Sequence, residues 1–261
     1  VSYEIRTIEA GPARLRLRVA GTGALLVLLP GMGRPAEDLD PFAALLVAAG
    51  WRVVQPDPRG IGGSTGPLEG LTLHDLAGDI AAVIEAVGDG AVVIAGHAFG
   101  NRIARMLAAD RPELVDTVVL LGCSGMVQPT PEIAAAIALG QNAATPPEVR
   151  ARAVRAAWFG PGRDISVWLD GWSEPVKKAC LAAAAATDTA SWWTAGSARV
   201  LIVQGADDVS APPENGHLLA AEIGARATLV DLPGIGHAGP VEDPDAVARV
   251  MLDYLDRRTT P

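Results

Sequence analysis

Five short apolar runs constrain this chain more than any other feature: Leu25 to Leu29, Trp51 to Val54, Ala91 to Ala95, Val118 to Leu121 and Val200 to Val203, broken only by Arg52. A strand with one wet face alternates polar and apolar residues, so runs this solid call for strands covered on both faces. Between them lie stretches with helical period, around Phe42 to Ala49, Leu76 to Val87, Asn101 to Ala109 and Leu218 to Ile223. Buried strands alternating with helices predict an α/β fold, a mainly parallel central sheet flanked by helices and joined by right-handed crossovers. The beginning of the chain differs. Leu15, Leu17 and Val19 are interleaved with Arg14, Arg16 and Arg18, a period of two that predicts strands with one solvated face.

The strand–helix rhythm stops between about Gly125 and Ser197. Three helices are expected there, Glu132 to Leu139, Pro147 to Ala157 and Pro175 to Ala186, with Pro129, Pro131, Pro146-Pro147 and Gly160-Pro161-Gly162 as punctuation. The chain therefore divides into a first core part (1–124), a helical cap or lid (125–197) and a second core part (198–261). Five of the six tryptophans, Trp158, Trp168, Trp172, Trp192 and Trp193, fall in the insertion. Packing against the body would explain them, but apolar ligand cavities favour aromatic walls, so these residues are the expected pocket lining.

Chemistry is expected at Gly96-His97-Ala98-Phe99-Gly100, which follows the run Ala91 to Ala95 and precedes a helix. In a strand–turn–helix setting, G-x-S-x-G presents a nucleophile on a sharp turn. Here the central residue is alanine, with no oxygen to attack an acyl carbon. A late glycine-rich loop, Gly234-Ile235-Gly236-His237, supplies a histidine that needs a carboxylate to hold its tautomer. Asp207 and Asp208 both compete for that role. Gly96 and Gly100 are explained by the tight turn alone. For His97, beside the elbow, a structural hydrogen bond is the expected role. Cys123 and Cys180 are read as free thiols, with Cys123 buried rather than a substitute nucleophile.

Together these segments resemble the α/β-hydrolase fold superfamily, in its lidded, serine-hydrolase-like branch, over nearly the whole chain. Leu29-Pro30-Gly31-Met32-Gly33 looks like its oxyanion loop, with Pro30 where many members have histidine. Asp57-Pro58-Arg59-Gly60-Ile61-Gly62-Gly63-Ser64 looks like the D-x-R-G-x-G-x-S loop, and Gly205-Ala206-Asp207-Asp208-Val209 with Pro212 matches the acid loop. The resemblance implies Asp208 as the acid, His237 as the base, Ala98 at the nucleophile position, and the amides of Met32 and Phe99 as the oxyanion hole. Asp57 and Arg59 are expected to tie loops together beneath the pocket. It also implies a small, mostly apolar ester, lactone or related carbonyl substrate, with carbon–carbon bond hydrolysis as a neighbouring chemistry.

Three accounts of Ala98 fit the sequence. In the first, a serine was replaced deliberately to trap a ligand; in the second, the alanine is native and His237–Asp208 is a general base acting without a covalent intermediate; in the third, the fold has become a binding module.

A formal charge of −9 and a pI near 4.9, with no basic block, argue against nucleic acid as a partner. No run of about 18 uncharged apolar residues points to a membrane. Without a basic, apolar leader at the start, a cytoplasmic location is expected. The four histidines are isolated, so neither a metal nor another cofactor is expected. No heptad pattern fixes an oligomeric state.

Overall fold

A computed structural model describes residues 1–88 and 90–259. Eight strands form one sheet in the order β1-β2-β4-β3-β5-β6-β7-β8. They are β1 (Glu4–Ala10), β2 (Ala13–Ala20), β3 (Leu25–Leu29), β4 (Arg52–Pro56), β5 (Val92–His97), β6 (Val115–Leu121), β7 (Arg199–Gly205) and β8 (Ala227–Leu232). Only β2 runs antiparallel to its neighbours β1 and β4, and all other pairings are parallel. The expected mainly parallel α/β sheet is therefore present.

Helices α1 (Asp40–Ala48), α2 (Leu73–Val87), α3 (Phe99–Asp110), α7 (Glu214–Ile223) and α9 (Pro244–Thr259) flank it, with a short α8 (Gly239–Glu242) before α9. One face of the sheet packs against α2, α3 and α7, the other against α1 and α9. Leu26, Leu28, Val53, Ala95 and Leu201 serve one side and Val27, Val54, Ile94, Val118 and Ile202 the other, which is why the runs are solid. On β2, Leu15 and Leu17 enter the core while Arg16 reaches Asp57 and Arg18 reaches Asp40. The alternation read from the sequence is that division.

Between β6 and β7 come α4 (Pro131–Gln141), α5 (Pro147–Trp158) and α6 (Glu174–Ala185), the inserted helical lid. All three have proline in the first turn, where a missing N–H is harmless, and Thr130 caps α4 by accepting the Ile133 amide. The 125–197 division stands as a proposal about domain boundaries.

Two contacts beneath the lid position the loops of the site. Asp57 accepts the Ala36 amide at 3.1 Å and the Arg16 guanidinium at 2.7 Å. Arg59 forks onto both oxygens of Asp79 at 2.6 and 2.8 Å, with both side chains buried. Burial pushes the Asp79 carboxyl up and Arg59 opposes it, while the bond to Asp79 pushes Arg59 up.

Candidate active site

Strand β5 ends at His97, and Ala98 turns the chain sharply into α3. Its backbone sits at φ 51°, ψ −112°, one of only two non-glycine residues with positive φ among those described. Such a conformation costs on the order of 1–3 kcal/mol and persists only where the surroundings impose it. Here they do: the Ala98 amide donates to the Leu121 carbonyl at 2.9 Å, and a Cβ on Gly96 would stand 2.4 Å from the Gly100 carbonyl. On Gly100, a Cβ would stand 2.6 Å from the Pro30 carbonyl oxygen. Gly96→Ala is thus expected to lower stability by about 1–3 kcal/mol through overpacking, read as a drop in Tm.

Asp208 follows β7 and is buried, whereas Asp207 is exposed. The His237 Nδ1–H donates to Asp208 Oδ2 at 2.8 Å. The same carboxylate accepts the amides of Ser210 at 3.0 Å and Ala211 at 2.7 Å, and Gln204 Nε2 at 3.2 Å. So fixed, it holds the imidazole with Nε2 free of its proton and available as an acceptor. Glu242 braces the histidine loop by accepting the amides of Gly236 and Gly160 at 2.7 and 2.6 Å. Burial raises its carboxyl above the usual range.

His97 is buried, and its Nε2–H donates to the His237 carbonyl at 2.9 Å. Burial, reinforced by neighbouring His237, pushes its pKa down to about 3, so the ring is neutral. The structural hydrogen bond expected of it is present. His74 and His217 lie apart at the surface, against Asp110 and Asp231.

A cavity of about 150 Å³ opens over the elbow, bordered by Ala98, His237, Met32 and Phe99. Trp158, Trp168 and Trp172 wall it, with Trp158 stacked on Trp172 at 5.0 Å and Trp168 set edge-on to both. Trp192 and Trp193 do not reach it. They belong to the core beneath, where the fully buried Arg105 guanidinium lies 4.5 and 4.9 Å from their rings. A buried cation needs such faces, and the insertion's sequence does not show which side of the sheet a tryptophan meets. Cys123 is buried and its thiol is pushed up by desolvation, the opposite of what a nucleophile needs.

Sequence reasoning passed over Arg34, Arg102, Ser124 and Gln141, all of which line the cavity. Arg102 carried a signal: four residues after Ala98 on a helix, it must share the elbow's face. Arg34, two residues past Met32, reaches from the loop after β3 up to the lid. Its Nη1 and Nη2 donate to the carbonyls of Asp170 and Val167, its Nε donates to Asp38, and Trp172 lies 4.6 Å from its guanidinium carbon.

Comparison with known proteins agrees with this architecture. A family model described as alpha/beta hydrolase fold matches residues 24–162, and one described as TAP-like protein matches residues 166–261. The chain is 30% identical over 250 residues to BpoC, a candidate non-heme bromoperoxidase of Mycobacterium tuberculosis, covering 90% of this chain and 95% of that protein. The crystal structure of BpoC superposes with a TM-score of 0.80 at 29% identity, covering 93% of this chain and 96% of the other. Similarity extends to a 2-(acetamidomethylene)succinate hydrolase of Mesorhizobium japonicum, 25% identical over 268 residues, 96% of this chain and 95% of that one. The ordered glycine-rich loops, the eight-stranded sheet and these matches have one meaning: the chain belongs to the α/β-hydrolase fold family.

Proposed function

We propose that the cavity binds a small, largely apolar carbonyl compound, an ester, a lactone or a relative of these, and that His237 acts on it as a general base without a covalent intermediate. The observation that carries this reading is the buried His237–Asp208 pair, 2.8 Å apart, beside an elbow whose side chain is a methyl group. In the proposed step, His237 Nε2 takes a proton from a water molecule as its oxygen bonds to the carbonyl carbon. The amides of Met32 and Phe99 receive the charge that develops on the carbonyl oxygen. The Phe99 amide is suited to this, because first-turn N–H groups of a helix have no carbonyl a turn earlier. Collapse then breaks the bond to the leaving group, which takes the proton back from the imidazolium. The name of the Mesorhizobium relative, a hydrolase, supports the reaction class.

Assays with short aryl esters and lactones test this reading. The chain with Ala98 is expected to turn over linearly, with no stoichiometric burst, since no acyl-enzyme forms. Asp208→Asn, which leaves the imidazole in the wrong tautomer, should lower kcat by roughly 10³–10⁴-fold, and His237→Ala should lower it at least as far. Turnover that survives His237→Ala would remove the base from the mechanism.

A further inference from the structure

Arg102 borders the cavity with no counter-ion. Its Nε donates to Ser124 Oγ at 3.3 Å, and no carboxylate among the described residues pairs with the guanidinium. Aromatic faces lie near it, Phe99 at 5.8 Å and Trp192 at 5.7 Å, but they bring no compensating charge. Its neighbour one turn on, Arg105, is buried with a neutral set of partners: the carbonyls of Asn101, Ser124 and Trp193 and the Asn101 side chain. Both cations stand on α3, and Arg102 sits near its positive end, where the helix dipole opposes a cation. Burial lowers both guanidinium pKa values, that of Arg105 to about 10, so the protein leaves this positive charge underhydrated. Four other arginines that are buried or half-buried differ from it. Arg16, Arg18, Arg34 and Arg59 each have an aspartate, in a chain with acidic residues to spare.

We infer that the ligand itself supplies the missing anion: the cavity takes an amphipathic carboxylate, its apolar body against Trp158, Trp168 and Trp172 and its carboxylate on Arg102. A guanidinium is suited to that partner, because its two terminal nitrogens match the two oxygens of a carboxylate. This rests on the proposed function only in taking the cavity over the elbow as the ligand site. It narrows the substrate class to carbonyl compounds that also bear an acid group.

Equilibrium binding tests it without turnover, using the three wall tryptophans as fluorescence reporters. Phenylacetate, 3-phenylpropionate and 4-phenylbutyrate would each be compared with its primary amide, which has the same shape and no charge. At least one acid should bind the chain about 10-fold or more tightly than its amide. Arg102→Gln should remove that preference while moving amide affinity little, and Arg102→Lys should keep part of it. Three results would overturn the assignment: equal binding of acid and amide throughout the series, a preference that persists in Arg102→Gln, or no acid bound at millimolar concentration. Comparing acid with amide on the unsubstituted chain still overturns the assignment if the two bind equally, even where a variant folds poorly. Should esters resist hydrolysis in every form while the acid preference holds, the catalytic reading fails and this one stands.

Discussion

Ala98→Ser is expected to raise hydrolysis of a short aryl ester by roughly 10³-fold and to introduce a burst of one phenolate per protein molecule. On the proposed reading, the site lacks only the nucleophile for covalent catalysis. The backbone at residue 98 holds φ 51°, ψ −112°, so serine would add only an oxygen to a Cβ that faces the cavity. His237 borders the same cavity with its Nδ1–H committed to Asp208, which leaves Nε2 to accept the new hydroxyl proton. The amides proposed to receive the oxyanion are untouched by the change. Stopped-flow absorbance at the phenolate band gives the burst, and His237→Ala in the serine background should abolish it. A serine form no faster than the alanine form would mean that His237 does not address residue 98, and the site would then have to be read as something other than a triad lacking its nucleophile.

The largest effect on stability is expected from Arg59→Met. Arg59 and Asp79 are joined by two short bonds and almost wholly buried. Removing one member leaves an uncompensated buried carboxylate, a loss of about 3–5 kcal/mol. For a chain of this size that is a Tm drop of roughly 6–20 °C. The sign of the pH dependence follows from Asp79. Its carboxyl is already pushed above the usual range by burial, and loss of Arg59 can only push it further. A carboxyl whose folded pKa is raised favours the folded state when protonated, below its ordinary pKa, and loses that contribution as pH rises through the folded value. The Tm difference between parent and variant should therefore be smallest in acid and widen toward neutrality. Adding Asp79→Leu should recover most of the loss, since two apolar groups of similar volume can replace a buried pair nearly neutrally. A double variant as unstable as the single would show that packing, not stranded charge, is what Arg59 supplies.

Much of this molecule was legible in its sequence, for reasons that differ from place to place. The limits of β3 coincide with the apolar run Leu25 to Leu29, which Pro30 stops at its end. The resemblance to the family's acid loop points to Asp208 over Asp207, and the structure buries the first and exposes the second. The tryptophans were legible only in part. Composition announces that the insertion is aromatic, but Trp192 and Trp193 turn toward Arg105, a contact between a late turn and an early helix that no local pattern encodes. Arg102 is the sharper case. Its position on the elbow's face follows from helical spacing, yet what makes it informative is the lack of an acid beside it, and that is a property of space rather than of sequence.

Arg34 ties the ceiling of the cavity to its floor. The guanidinium holds the carbonyls of Val167 and Asp170 overhead and Asp38 below, in the segment that follows Met32. The 166–172 segment is thus not a door on its own hinge. Raising it away from the loop after β3 would cost both carbonyl bonds. On the flank, Leu181 borders the cavity and is half exposed. A single guanidinium thus makes roof and floor one hydrogen-bonded unit.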